Sequence, residues 1–237
     1  DLHSFPTRRS SDLVGADLVT VGALRAIDEA DAVFLPISAP GRASVAGEIY
    51  FRHRGRSRET HEIWFPMVRD EARRDEELRR RLEELRPVWE KAERIALPVI
   101  GDSVLYATIA YLYAIWRELS SALSLRLIPG ISAHSLASGV AGEFMALGDE
   151  RLSILPGSGE RALLAESMRS SDCVALYKPS ALGDTLPDLV RSTGPWSRCV
   201  RVHRAGLTEQ SVLTGERAIE PTEDYLSVLL LWRKGRN

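Results

Sequence analysis

An α/β architecture in two lobes is the fold this sequence predicts, and three observations predict it. Short apolar runs alternate with helix-like stretches along nearly the whole chain. Several of these runs stop at a glycine, as in Ile100-Gly101-Asp102 and Ile128-Pro129-Gly130. The chain has 237 residues at 44% hydrophobic, enough to bury one large or two smaller cores.

Composition narrows the class further. Lys and Arg number 31 against 33 Asp and Glu, a formal charge of -2, which argues against a nucleic-acid partner. The longest apolar helical candidate, Val104 to Trp116, is shorter than the ~20 residues a bilayer span needs, so no membrane partner is expected. Two cysteines, Cys173 and Cys199, are too few for a metal cluster and sit in strand-like surroundings. They fit a reducing, cytoplasmic compartment.

Residues Asp1 to Leu13 (DLHSFPTRRSSDL) are polar, aperiodic and interrupted by Pro6. They are expected to be a non-native segment, similar to a translated adapter sequence, leaving a chain from Val14 that lacks its opening strand. From Asp17 onward the pattern is regular. Val21, Leu24 and Ile27 share a helical face, with Thr20 as N-cap. Ala32 to Pro36 reads as a buried strand and Ile37 to Gly47 as a loop. A basic stretch with Arg52, Arg54, Arg56 and Arg58 precedes the apolar Ile63 to Pro66. Leu78, Leu82, Leu85 and Trp89 mark one face of a single long helix within Arg69 to Arg94. Ile95 to Ile100 is a strand that Pro98 makes irregular. A helix with Leu105, Ile109, Leu112 and Trp116 on one side follows it, then a strand at Leu125 to Ile128 and a helix at Ser132 to Val140.

The second half keeps the alternation. Strands are expected at Leu152 to Leu155, Cys173 to Tyr177, Cys199 to His203 and Tyr225 to Trp232. Helices at Glu160 to Met168 and Thr185 to Arg191 separate the first three, and Gly206 to Thr222 has room for a hairpin. The expected division gives an amino-terminal α/β domain over 14–148 and a carboxy-terminal α/β domain over 149–237.

Chemistry is expected where strands end at glycine. Gly101-Asp102 would offer bare backbone and a carboxylate acceptor for a ribose hydroxyl or an ammonium. Pro129-Gly130-Ile131-Ser132-Ala133 would present N–H groups and a hydroxyl. Either corner alone reads first as a turn with a helix cap.

Their order and flanks carry more. Asp17-Leu-Val-Thr-Val-Gly-Ala-Leu-Arg-Ala-Ile27, Ala30-Asp-Ala-Val-Phe-Leu-Pro36 and Phe65-Pro-Met67 come first. Gly101-Asp-Ser-Val-Leu-Tyr-Ala-Thr108, Ile128-Pro-Gly-Ile-Ser132 and Gly148-Asp-Glu-Arg-Leu152 with Leu155-Pro156 follow. Arg204-Ala-Gly-Leu207 and Tyr225-Leu-Ser-Val-Leu-Leu-Leu231 complete the set. Together they resemble the tetrapyrrole methylases, and within them the precorrin-2 or cobalt-factor-II C20-methyltransferases. The resemblance implies a two-lobed tetrapyrrole-methylase-like fold with the cofactor cleft between two α/β domains. It also implies a homodimer, S-adenosyl-L-methionine as methyl donor and a reduced tetrapyrrole as acceptor.

On matching positions, Gly101, Asp102 and Leu105 would line the cofactor opposite Ser132 and Ala133, with Tyr177 and Ala205 closing the pocket. Tyr177 stands where the family usually has methionine. Lys178 follows as in the C20 branch, whereas Pro179-Ser180 departs from it. Tyr106, Thr108 and His134 are weaker expectations for the substrate side. Methyl transfer from a sulfonium needs no protein nucleophile, so no catalytic residue and no metal are expected. The four arginines between 52 and 58 would suit tetrapyrrole carboxylates but read first as a solvated loop.

At the start, Gly15-Ala16-Asp17 matches only the tail of the family's glycine-proline-glycine loop. A sheet short of that strand would expose unpaired edges, and low stability or weak activity is expected. Other readings keep the cofactor and change the ring position or acceptor, or make the chain an inactive fragment. Nicotinamide binding lacks its Gly-x-Gly-x-x-Gly fingerprint.

Overall fold

The computed structural model describes residues 17–39, 41–56, 59–66 and 70–235. The expected non-native segment, Gly15-Ala16, Arg58 and Met67 lie outside the described residues. The chain divides into two compact units, Ala16–Ser132 and Ala133–Asn237.

In the first unit, helix α1 (Val21–Asp28) starts where Thr20 accepts a hydrogen bond from the Ala23 N–H at 3.2 Å. Strand β1 (Ala32–Ile37) follows and is buried on both faces. Helix α2 (Val45–Arg54) occupies part of what patterning assigned to a loop and a basic stretch. Its signal was Ser44, whose Oγ accepts from the Gly47 N–H at 3.0 Å and donates to the Pro36 carbonyl at 2.6 Å.

Strand β2 (His61–Trp64) runs parallel to β1. The expected single helix splits into α3 (Glu71–Glu84) and α4 (Arg86–Trp89) at Leu85, just ahead of Pro87. Strand β3 shrinks to Ile95–Ala96, because the run reaches Pro98 two residues later. Helix α5 (Ile109–Leu119) begins later than expected and leaves Leu105 in the preceding turn. Leu125 to Ile128 forms no strand, pairs with none of the described strands, and leaves Leu125 and Leu127 each 43% exposed.

The resulting sheet is β2-β1-β3, all parallel. On one face Phe34 stacks on Trp116 with centroids 5.7 Å apart, and Trp89 meets Trp116 edge-on. Ile63, Leu78, Leu82 and Leu112 close that core. On the other face Val33 and Leu35 pack with Ile27 and Tyr50.

The second unit opens with α6 (Ala133–Ala141). It continues through β4 (Leu152–Pro156), α7 (Arg161–Arg169), β5 (Cys173–Tyr177), a 3-10 turn at Pro179–Thr185 and α8 (Leu186–Thr193). Then come β6 (Arg198–His203), β7 (Ser211–Thr214), α9 (Glu216–Ile219) and β8 (Ser227–Trp232). The room for a hairpin is filled by β7, antiparallel to β6.

Sheet order is β4-β5-β8-β6-β7, with β4 and β5 parallel and β8 antiparallel to both neighbours. Every residue of β5 and β8 is buried, which fits central strands covered on both sides. The division falls at Ser132, ahead of the expected 148, because residues from Ala133 onward pack with this sheet. The Trp232 indole N–H donates to the Phe144 and Met145 carbonyls at 3.1 and 3.0 Å, tying the segment after α6 to β8.

Arg233, one residue past β8, fastens two helix ends. Its guanidinium donates to the Met168 and Arg169 carbonyls at the end of α7, at 3.0 and 3.1 Å. It also donates to Thr193 at the end of α8 (2.9 Å) and to Ser171 (2.7 Å), and it lies 4.3 Å above the Trp196 ring. Cations stabilise helix C-termini, and a planar fork can serve several carbonyls where an ammonium cannot. Arg233→Met is expected to lower stability by about 2–4 kcal/mol in urea denaturation, with Arg233→Lys recovering less than half of it.

Candidate active site

The two glycine corners touch. A β-carbon on Gly130 would strike the Gly101 carbonyl oxygen, and one on Gly101 would come within 3.6 Å of the Ile131 carbonyl oxygen. Gly101 has φ +77, a left-handed backbone that glycine adopts without steric cost. The Asp102 Oδ1 accepts from the Gly130 N–H at 3.4 Å and from the Val104 N–H at 3.2 Å. The Ser103 hydroxyl donates to the Ile128 carbonyl at 2.8 Å. Asp102 is thus both the local turn-former and the tie to the second corner. Its Oδ2 has no protein partner among the described residues. Leu105 is half-buried in the same turn, and Ser132 ends the second corner, also half-buried.

Tyr106 and Thr108 were expected one turn into a helix. Both precede it: Tyr106 has φ 53 in the turn, and Thr108 is the exposed N-cap residue without a side-chain cap bond.

In the second unit, Tyr177 ends β5 and meets the first turn of α6. Its phenol oxygen accepts from the His134 N–H at 3.1 Å and lies 2.9 Å from His134 Nδ1. Tyr177 and His134 are therefore brought together, beside Ala133. Ala205 lies half-buried in the turn after β6, with Arg204 before it at φ 48.

Patterning missed the polar network beneath that turn. Arg201 and His203 are two apart on β6 and share a face, and both are buried. The Arg201 Nε donates to His203 Nε2 at 3.0 Å, and its Nη atoms donate to the Glu220 and Arg217 carbonyls around the end of α9. His203 Nδ1 lies 3.5 Å from Asp224 Oδ2, and Arg204 Nε reaches the same oxygen at 3.1 Å. Glu209 pairs with Arg204 from the other side. The available signal was an arginine and a histidine alternating with valines in an apolar strand.

With Nε2 accepting, the imidazole is neutral and its proton sits on Nδ1, toward Asp224. Burial, and then the Arg201 charge, push the His203 pKa below its ordinary 6.5, against the opposing pull of Asp224. Burial lowers the Arg201 pKa and pushes the Cys199 thiol up to about 11, so Cys199 is an inert thiol at neutral pH.

Two of the arginines considered for carboxylate binding, Arg54 and Arg56, have partners already. Arg54 forms a two-pronged pair with Asp28 at 2.6 and 2.7 Å. Arg56 pairs with Glu48 at 2.9 Å and lies 4.2 Å over the Phe51 ring. Among the described residues no group of three His, Cys, Asp or Glu is placed to hold a metal ion. No described helix is long and apolar enough to cross a membrane.

Two α/β units with a pair of touching glycine corners in the first set the fold class, and comparison with known proteins gives the family. The family model for tetrapyrrole (corrin/porphyrin) methylases matches residues 14–219, and the chain belongs to that family. It is 26% identical over 219 residues to the probable cobalt-precorrin-2 C(20)-methyltransferase of Methanocaldococcus jannaschii, covering 91% of this chain and 90% of the relative. It is 23% identical to the cobalt-precorrin-2 C(20)-methyltransferase of Salmonella typhimurium, covering 68% and 67%. The fold is shared with uroporphyrin-III C-methyl transferase from Thermus thermophilus complexed with S-adenyl homocysteine. That match has a TM-score of 0.62 at 14% identity and covers 93% of both chains.

Two predictions follow from the geometry. Gly130→Ala is expected to cost about 2–4 kcal/mol by separating the corners, whereas Gly139→Ala, with open space around it in α6, should raise stability slightly. Urea titration of both variants checks the contrast.

The second concerns His203. Its folded pKa is lowered, so its contribution to stability is complete above the unfolded value near 6.5 and is lost as pH falls through the folded value. Denaturation between pH 7.5 and 5 should show a flatter pH slope for His203→Gln than for the unaltered protein.

Proposed function

We propose that the protein is an S-adenosylmethionine-dependent methyltransferase that methylates C20 of a reduced tetrapyrrole, precorrin-2 or cobalt-factor II, in cobalamin biosynthesis. The contact between the two glycine corners carries the donor-binding half of this reading. The names of relatives aligned along most of the chain support the acceptor. Cys173 and Cys199 form no disulfide, which suits a cytoplasmic setting. A homodimer completes the reading, as the family resemblance implies, with exposed Phe144 and Leu163 available as apolar surface.

The residues present fit the donor. Bare backbone at Gly101 leaves room for a ligand, Gly130 lets the second corner close on the first, and the unpartnered Asp102 Oδ2 matches a ribose hydroxyl or an ammonium. Bound S-adenosylmethionine supplies an electrophilic methyl group on a sulfonium.

The chain's task is positioning and charge placement. Asp102 holds the second corner through Oδ1 and orients the donor through Oδ2. As the family resemblance implies, Leu105, Ser132, Ala133, Tyr177 and Ala205 would line the donor. Tyr177 holds His134, which would orient a carboxylate of the acceptor or take up the proton that C20 loses. Tyr106 and Thr108 would serve the acceptor side.

The test incubates the protein with labelled donor and each candidate acceptor, and NMR of the product locates the new methyl group. Methylation at another ring carbon, or none with either acceptor, overturns the C20 assignment. Asp102→Asn keeps the Oδ1 acceptor but loses the charge. It is expected to weaken S-adenosylhomocysteine binding by about 10- to 100-fold in calorimetric titration, with little change in stability.

A further inference from the structure

The antiparallel position of β8 between β5 and β6 puts three chain segments on one edge of the second unit's sheet. Lys178 follows the last residue of β5, Arg204 follows the last residue of β6, and Tyr225-Leu226 precede β8. The Arg204 N–H donates to the Leu226 carbonyl at 2.6 Å, and the Lys178 ammonium lies 5.1 Å from the centre of the Tyr225 ring.

Lys178 and Arg204 share an unusual backbone. Their φ values are 53 and 48, in the left-handed region where a side chain costs energy and glycine does not. A turn alone would be served better by glycine, so a side chain retained there has work of its own. For Arg204 that work is visible: its guanidinium is held by Asp224 and Glu209.

For Lys178 the described residues supply no such counterpart. Its carbonyl accepts from the Ala181 N–H at 3.0 Å, which anchors the turn. Among the described residues no carboxylate lies within ion-pair distance of its ammonium. The Tyr225 face holds that ammonium without neutralising it, which fixes the cation in advance of any ligand. Tyr225 and Leu226 remain 45% and 39% exposed, so a cation borders a flat apolar surface.

We propose that Lys178 is a carboxylate-recognition residue, its ammonium poised over Tyr225 to pair with a carboxylate of a ligand bound at this sheet edge. The ligand's identity rests on the methylase reading. The carboxylate belongs either to an acid side chain of the tetrapyrrole or to the amino-acid end of the methyl donor. Both sources offer the same chemistry to an ammonium.

Two binding titrations on the full chain separate them, one with S-adenosylhomocysteine and one with the tetrapyrrole followed by absorbance. Each is run on the unaltered protein, Lys178→Met, Lys178→Arg and Lys178→Gly. Lys178→Met is expected to weaken one ligand by about tenfold or more, with Lys178→Arg recovering most of the loss. Loss on the tetrapyrrole alone assigns the acceptor's carboxylate, and loss on S-adenosylhomocysteine assigns the donor's.

Lys178→Gly guards against a merely structural effect, because glycine suits this backbone. It should melt at or above the unaltered protein's midpoint and still bind as poorly as Lys178→Met. Unaltered protein that binds both ligands with affinities indifferent to Lys178 overturns the inference and leaves the methylase reading standing. Protein that binds neither ligand overturns both.

Discussion

The closest constraint in this molecule is the approach of two backbones, Gly101 against Gly130, with no room between them for a methyl group. The two turns meet at that distance because Gly130 has no β-carbon to strike the Gly101 carbonyl, while Gly101 supplies the left-handed backbone of its own turn. Glycine loses much conformational entropy on folding, so such a junction needs something to hold it. Asp102 does so, because its Oδ1 accepts one N–H from its own turn and one from the facing corner. A single carboxylate oxygen therefore sets the local turn and the register between corners. The other oxygen has no protein partner among the described residues.

The second unit solves a different problem, which is how to put charge inside an apolar sheet. Arg201 and His203 lie on the face of β6 that packs toward α9, where an unpaired ion would be costly. The network lowers that cost by giving each guanidinium nitrogen a partner: His203 and the carbonyls of Glu220 and Arg217 take the guanidinium, and the neutral imidazole turns its proton toward Asp224. Asp224 in turn grips Arg204, the residue that bends left-handed to begin the Ala205 turn. Buried polar chemistry in β6 is thereby linked to the shape of a strand end.

Much of this was legible in the sequence, for physical reasons. The strands of the second unit read correctly because each is an apolar run bounded by turn residues, and the Thr20 cap read correctly because its hydroxyl sits one turn ahead of the apolar stripe. The corners were legible as glycine turns, whereas the strands expected to lead into them were not, since β3 stops at Ala96 and Leu125 to Ile128 forms none. Helix α2 was not legible: its arginines and histidine gave no apolar stripe, and its stability comes from Ser44 and from packing of Tyr50 on β1. The strand at Leu125 to Ile128 failed for the opposite reason. Its composition is right for a strand, but a strand also needs a neighbour, and β3 ends at Ala96. Networks such as Arg201-His203-Asp224 are hidden because their members are joined across the fold and not along the chain.

The arginines show why composition is a poor guide to where a ligand's charge is met. A basic run between 52 and 56 looks made for carboxylates, yet folding spends Arg54 on Asp28 and Arg56 on Glu48 and the Phe51 ring. What counts for recognition is the charge left over after the protein has satisfied itself. An exposed ion pair adds little stability, but it does lower the field available to an incoming anion. A cation held by an aromatic face keeps its field, because the ring orients the charge and does not cancel it. By that criterion the Lys178 ammonium keeps a field that Arg54 and Arg56 have given up to their partners.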